Sequence, residues 1–418
     1  MRQKLTNKRK ILNDPVHGFI TIPNEEVFDI IEHPFFQRLR RISQLGLTYL
    51  VYPGAYHTRF HHALGAMHLM QDAIRILRSK DVEITPAEED AVIKAILLHD
   101  IGHGPFSHAL ESAIIPDIGH ENLSLRIMER MNEELNGSLT LAIDLFVGRH
   151  PKRFLHQLIS SQLDMDRLDY LRRDSFYTGV SEGSVNTDRL LQMLNVHDDE
   201  LVVDAKGIHS VEKFLVARTL MYWQVYLHKT VLSAEYLLVN ILRRARELAL
   251  SGHDLPATPV FKIFLENGIS LKDLNTKPEL LNTFAQLDDI DVLAAIKMWM
   301  HHDDRLLQYL SRALVMRELL HVEMTPQPPP KERVEELRRR AARDFGFTLA
   351  EIDYVVFVEK VSSYAYSSGR SSIKMLYRDG QVRKVEDAAE ELNLKALKTK
   401  TERYALCYPK DLEWPVVV

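Results

Sequence analysis

Apolar residues recur at helical spacing through much of the chain before residue 250. The runs 28–45, 60–77, 85–98 and 211–250 carry them at i, i+3, i+4 and i+7, the stripe of an amphipathic helix. The run at 85–98 also has its own start signal: Thr85 and Glu88 make a capping box, and Pro86 supplies a first position whose φ is already set. Ahead of these helices, β-branched residues in 11–22 flank Asn13-Asp14-Pro15 and His17-Gly18, which predicts a short hairpin.

The pattern changes near Thr325. Pro326-Gln327-Pro328-Pro329-Pro330 is a stiff connector that neither a helix interior nor a central strand accepts. Beyond it the sequence predicts a charged helix at 331–344, a β-rich stretch at 354–361 and a hairpin joining 373–377 to Val382 through Arg378-Asp379-Gly380-Gln381. A helix at 385–392 and a strand at 403–408 follow, with no internal repeat anywhere. The expectation is a mainly α protein. Residues 1–325 would form a helical bundle with a short N-terminal hairpin, and 326–418 a small α+β lobe serving regulation or assembly.

At 418 residues, with 45% hydrophobic and 27% charged positions, the chain has the composition of a globular protein with a sizeable core. A net charge of −5 and a pI near 6.4 give no overall attraction to nucleic acid or to an anionic membrane, so neither is an expected partner. The densest basic run, Arg2, Lys4, Lys8, Arg9 and Lys10, reads as a solvated terminus or as a local phosphate contact. Cys407 is the single cysteine, which excludes an intrachain disulfide or a thiolate metal cage and fits a reducing cytoplasm. No apolar run approaches the roughly 18 residues of a membrane span.

The densest chemistry lies in Leu98-His99-Asp100-Ile101-Gly102-His103-Gly104-Pro105-Phe106-Ser107-His108, where a predicted helix runs directly into histidines, an aspartate and glycines. His99 and Asp100 at the end of a helix can turn toward one ion, and the glycines let the backbone come close. Further ligands are available in Arg59-Phe60-His61-His62 and in Asp164-Met165-Asp166-Arg167. A His62, His99, Asp100, Asp166 set would suit a divalent ion such as Mn, Fe, Zn or Ni with positions left for water and a phosphate oxygen. Spacing alone leaves His61 and His62 equivalent, and either could be an ordinary packed histidine.

Together with Asn13-Asp14-Pro15-Val16-His17-Gly18, Phe36-Gln37-Arg38-Leu39-Arg40, Gln44-Leu45-Gly46, Pro53-Gly54-Ala55, the segment from Asp164 to Asp174 and that from Arg218 to Lys229, these residues resemble the HD superfamily. The resemblance is to its deoxynucleoside triphosphate triphosphohydrolase branch, which includes bacterial enzymes and the catalytic core of the vertebrate SAM-and-HD-domain protein. It implies an HD-domain helical bundle and selects His62 over His61. His62, His99, Asp100 and Asp166 become the ligands of a divalent metal, Mg included among the candidates. It also implies a catalytic group of His103, His108, Glu111 and His120. Hydrolysis at the α-phosphorus needs an activated water, neutralised phosphate oxygens and a proton donor for the leaving 5′-oxygen. By the resemblance His108 donates, His103 and Glu111 tune it, and His120 contacts phosphate. The family often has aspartate where Glu111 stands.

The resemblance further implies phosphate contacts from Arg59, Arg167, Arg218 and Lys229, Arg167 replacing a common lysine. Gln44, Leu45, Tyr170, Asp174 and Tyr226 would bind the sugar. Asp166, Tyr170 and Asp174, at i, i+4 and i+8, can share one helical face. Lys10, Asn13, Gln37 and Arg40 match part of an effector-nucleotide site in relatives that assemble as oligomers, and Glu32 stands where a guanine-reading aspartate is expected. A homo-oligomer, dimer or tetramer, and a nucleotide effector are therefore expected partners. The leading expectation is release of tripolyphosphate from dNTPs. The alternatives are an HD phosphatase acting on nucleoside monophosphates or another phosphorylated nucleotide, and a nucleotide sensor without catalysis.

Overall fold

The computed structural model describes residues 10–106, 113–114, 119–363, 372–388 and 401–412. Helices dominate it, as the apolar periodicity predicts. The N-terminal hairpin forms from β1 (Ile11–Asp14) and β2 (Gly18–Thr21), antiparallel with Ile11 opposite Thr21.

The single helix expected at 28–45 is instead a series of short turns. α1 (Glu25–Glu32) ends at His33, whose ψ of 138° is the extended geometry that a following proline imposes, and Pro34 opens α2 (Pro34–Gln37). A 3-10 turn at Arg38–Arg41 follows. This break has a use. It buries Arg38 completely, and the guanidinium donates to the carbonyls of Ile101 and His103 at 3.0 and 2.8 Å, pinning the histidine segment from behind.

The helical core around the histidine segment is built on α3 (Arg59–Arg78), α4 (Pro86–Leu98), α5 (His120–Glu134) and α6 (Met165–Thr178). α4 starts as predicted: Thr85 N–H donates to Glu88 Oε2 at 2.8 Å, and Glu88 N–H donates back to Thr85 Oγ1 at 3.2 Å. α3 and α6 approach so closely at Gly65 that an added Cβ would sit 1.9 Å from Asp169 Oδ1. Gly102 plays the same part between the histidine segment and α5, where a Cβ would meet Ser124 N at 2.2 Å.

The run at 211–250 also divides. α7 (Ile208–Met221) passes through a π-helical turn at Tyr222–Tyr226 before α8 (Lys229–Leu250) begins, with His228 as its cap. The π turn places Tyr222 and Tyr226 against the same cavity, which a continuous 3.6-residue period would not anticipate.

After the proline-rich segment, α9 (Lys331–Phe345) ends at Gly346 with φ 68°. Strands β3 (Leu194–His197), β4 (Glu200–Asp204), β7 (Lys374–Leu376) and β8 (Val382–Lys384) form one sheet in the order β3-β4-β7-β8. β5 (His321–Thr325), β6 (Phe357–Ser363) and β9 (Thr401–Tyr408) form another in the order β5-β9-β6. The chain beyond Thr325 is thus hydrogen-bonded to strands that precede it, through β4 and through β5. The helix expected at 385–392 is present at Val385–Ala388, and its remainder lies outside the described residues. Among the described residues no helix is long and apolar enough to cross a membrane.

Candidate active site

α3, α4 and α6 each contribute one side chain to a common point. His62, His99 and Asp166 offer ligand atoms that all lie within 4.8 Å of one another. His62 Nε2 is 3.1 Å and His99 Nε2 3.5 Å from Asp166 Oδ1. Local structure separates the two adjacent histidines: His61 Nδ1 accepts from the Thr58 backbone N–H at 3.2 Å and so serves the start of α3, leaving the wholly buried His62 to face inward.

The opposite nitrogens of both rings are already engaged. His62 Nδ1 meets Asp169 Oδ2 at 2.8 Å, and His99 Nδ1 meets the Ile96 carbonyl at 2.6 Å. The Nε2 atoms of both are buried and have no hydrogen-bond partner. Two orphaned imidazole nitrogens facing a carboxylate, each ring oriented from behind, suit a divalent cation. Burial favours a neutral His62, but the carboxylates of Asp166 and Asp169 outweigh it and hold the ring up to about 10. A cation would take the place of that proton.

Asp100, the fourth expected ligand, stands beside this group. Its Oδ1 is 3.4 Å from His99 Nε2 and 3.3 Å from His103 Nε2, its Oδ2 is 3.8 Å from His62 Nε2, and the Arg59 guanidinium pairs with Oδ2. His103 stacks on His120 with ring centroids 3.9 Å apart and planes 14° apart. Burial, followed by the charge of Arg59, pushes His103 down to about 3. His108 and Glu111 lie outside the described residues.

Two cavities flank this cluster. One, of about 560 Å3, is lined by His99, Asp100, His120, Asp166 and Arg167 among others. The second, of about 440 Å3 and with more apolar walls, is lined by Gln44, Leu45, Arg59, Tyr226 and Glu235 among others. Arg59 lines the second while holding Asp100 of the first, so that ion pair stands between the two cavities.

The expected cations are placed unequally. Arg167 donates to Asp164 Oδ2 at 2.6 Å, Arg218 donates to Gln162 Oε1 at 3.0 Å, and both guanidinium charges bear on Tyr170. Arg59, Arg167 and Arg218 each keep a buried Nε without a hydrogen-bond partner. Lys229 is exposed in the first turn of α8 and lines neither cavity.

The expected sugar residues do gather. Tyr226 Oη donates to Asp174 Oδ2 at 2.7 Å, and the Tyr170 and Tyr226 rings meet edge to face at 6.4 Å. Burial and then Asp174 push the Tyr226 hydroxyl well up. Of the expected effector residues, Gln37 and Arg40 touch, Arg40 Nε donating to Gln37 Oε1 at 2.8 Å. Lys10 lies over the Phe28 ring, while Asn13 and Glu32 are exposed on β1 and at the end of α1.

Sequence reasoning gave no role to several residues that hold this site. Asp169, wholly buried, is gripped by His17 at 2.6 Å, by His62, and by Arg173, which also reaches Asp14 at 2.7 Å. His57 Nε2 lies 2.8 Å from Asp174 Oδ1. A signal existed for Asp169: at i+3 from Asp166 it sits one turn along the same helix.

Residues 59–174 match the HD domain, and residues 185–264 match the HD associated region. The uncharacterized protein YwfO of Bacillus subtilis is 32% identical over 424 residues, covering 97% of this chain and 93% of that protein. A deoxynucleoside triphosphate triphosphohydrolase SAMHD1 homolog from Dictyostelium discoideum is 31% identical over 291 residues, 65% of this chain and 56% of that protein. Among solved structures, a phosphohydrolase from Bacteroides thetaiotaomicron superposes with a TM-score of 0.93 at 50% identity, covering 96% of this chain and 100% of that one.

Proposed function

Because the chain belongs to the HD-domain family of phosphohydrolases, we propose that it hydrolyses deoxynucleoside triphosphates to deoxynucleoside and tripolyphosphate. The observation that carries this reading is the junction at Arg59, whose ion pair with Asp100 stands between the cavity beside His99 and Asp166 and the apolar cavity holding Gln44 and Tyr226. A substrate with a polyanionic end and a flat, largely apolar end fits across that junction.

Each residue then has a physical task. Arg59, Arg167 and Arg218 would meet phosphate oxygens, their planar forks suiting a polyanion better than scattered point charges. Gln44, Leu45, Tyr170, Asp174 and Tyr226 would hold and crowd the sugar. His62, His99, Asp166 and the adjoining Asp100 would hold a divalent cation, which supplies Lewis-acid charge and a more acidic water. His120 would contact phosphate, with His103 and the undescribed His108 and Glu111 handling the proton to the 5′-oxygen. By the same reading Lys10, Asn13, Glu32 and Arg40, all exposed, with the half-buried Gln37, bind an effector nucleotide between copies of the chain in a cytoplasmic homo-oligomer. Residues 326–418 would serve as a lobe docked on the 1–325 catalytic unit through the shared sheets.

The test is to incubate purified protein with Mn2+ and each dNTP or NTP, with and without GTP, and to identify the products. Tripolyphosphate is the expected product. Orthophosphate released from monophosphates alone would instead establish a phosphatase, and saturable nucleotide binding without turnover across several metals would establish a sensor.

A further inference from the structure

The apolar cavity contains an acid that no step above uses. Glu235, on α8, is the one carboxyl among the described residues lining it, and its helical neighbours Leu232, Leu238 and Val239 are cavity walls too. Among the described residues none hydrogen-bonds to Glu235 and no cation offsets its burial, which pushes the carboxyl up to about 7. An acid without a partner among apolar walls is costly to keep, and such a group marks where a ligand completes the hydrogen bonding.

The cavity wall carries polar groups besides Glu235. Gln44 presents a buried, unpartnered Oε1 and Arg59 a buried, unpartnered Nε, and Arg59 also pairs with Asp100 beside the cation group. On the dNTP reading, Gln44, Arg59 and the cation group take the sugar and phosphates, which leaves the base as the part of the substrate for Glu235 to meet. Resting on the reading of this site as a dNTP pocket, we propose that Glu235 is a specificity residue that accepts hydrogen bonds from the N1–H and exocyclic N2–H2 of guanine. A carboxylate has two acceptor oxygens side by side, and of the four common bases guanine alone has two adjacent donors on its pairing edge. Leu232, Val239 and Phe106 supply flat apolar surface for the ring.

The experiment compares kcat/KM for dGTP, deoxyinosine triphosphate and dATP in wild-type protein, E235L and E235Q with Mn2+. Deoxyinosine triphosphate lacks the N2 amine and so isolates the second hydrogen bond. The expected result is a wild-type preference for dGTP over both other substrates. E235L should then lose roughly tenfold or more on dGTP, while dATP turnover stays close to wild type. E235Q, nearly isosteric and so fit to fold if E235L does not, should also lose the preference because one acceptor becomes a donor. A dGTP to dATP ratio unmoved in both variants overturns the assignment of Glu235 and leaves the triphosphohydrolase reading intact. Release of tripolyphosphate from no dNTP by the wild type overturns both.

Discussion

At the scale of single residues, one buried carboxylate organises the proposed sugar site. Asp174 takes a hydrogen bond from Tyr226 on one oxygen and meets His57 on the other, all three drawn from different parts of the chain. Tyr226→Phe would remove one partner and leave Asp174 Oδ2 buried and unsatisfied, a cost of about 1–3 kcal/mol. Urea unfolding should show that loss; a variant as stable as wild type would mean that the bond contributes nothing net. The metal group makes a second prediction. Asp166→Ala should abolish binding of Mn2+, measured by calorimetry, because the carboxylate nearest the orphaned imidazole nitrogen of His62 would be gone and Asp100, already paired with Arg59, would be the one left beside the two rings. Retention of wild-type affinity would sink the ligand assignment. His57 shows why single residues are hard to read from sequence. It precedes Thr58 and α3 with nothing in its neighbourhood to distinguish it from His61, and its partner lies 117 positions away.

At the scale of elements, the N-terminal hairpin is bolted to the cation group through a chain of buried charges. Asp14 on β1 pairs with Arg173, Arg173 with Asp169, and Asp169 with His62, while His17 from the turn reaches Asp169 as well. Arg173→Met would strand two carboxylates in the interior and should destabilise the fold by about 3–5 kcal/mol. It should also weaken metal binding by about 10- to 100-fold, since Asp169 would no longer be held against His62. Unchanged metal affinity in a folded variant would show that the bolt is only structural. Burial opposes ionisation of Asp14, but the bonds from Arg173 and from the His17 and Val16 amides hold it below its ordinary 3.8. Its contribution is therefore fully present above that value and is lost as pH falls through the lower folded value. Amide exchange in β1 and β2 should accelerate in that acid window before the helices open. The hairpin itself was legible, from β-branched residues around Asn-Asp-Pro and His-Gly. The helix breaks were less so: apolar period carried the reading through Pro34, although proline forbids it, and through Tyr222–Tyr226, where a π turn keeps the apolar face while shifting the phase.

At the scale of the whole molecule, the sequence conveyed the helical architecture because α3, α4 and α8 are long and their apolar faces periodic. It could not convey that strands after the proline-rich segment complete sheets begun before it. β7 is three residues long and finds its parallel partner β4 about 170 positions upstream, a pairing no local pattern encodes. The cation group is similarly nonlocal, and this has a thermodynamic consequence. Its ligands come from α3, α6 and the end of α4, so a cation bound there ties α6 to two helices that lie more than 60 residues before it in the chain. Binding to the folded state alone stabilises it by RT ln(1 + [L]/Kd), about 2.7 kcal/mol when free metal is a hundred times Kd. Thermal unfolding should therefore shift upward on adding Mn2+ and return on adding a chelator. Asp166→Ala should show no such shift at any metal concentration. The comparison isolates the site, because adventitious surface binding would move both proteins equally, and an equal shift in the two would count against a cation at these residues.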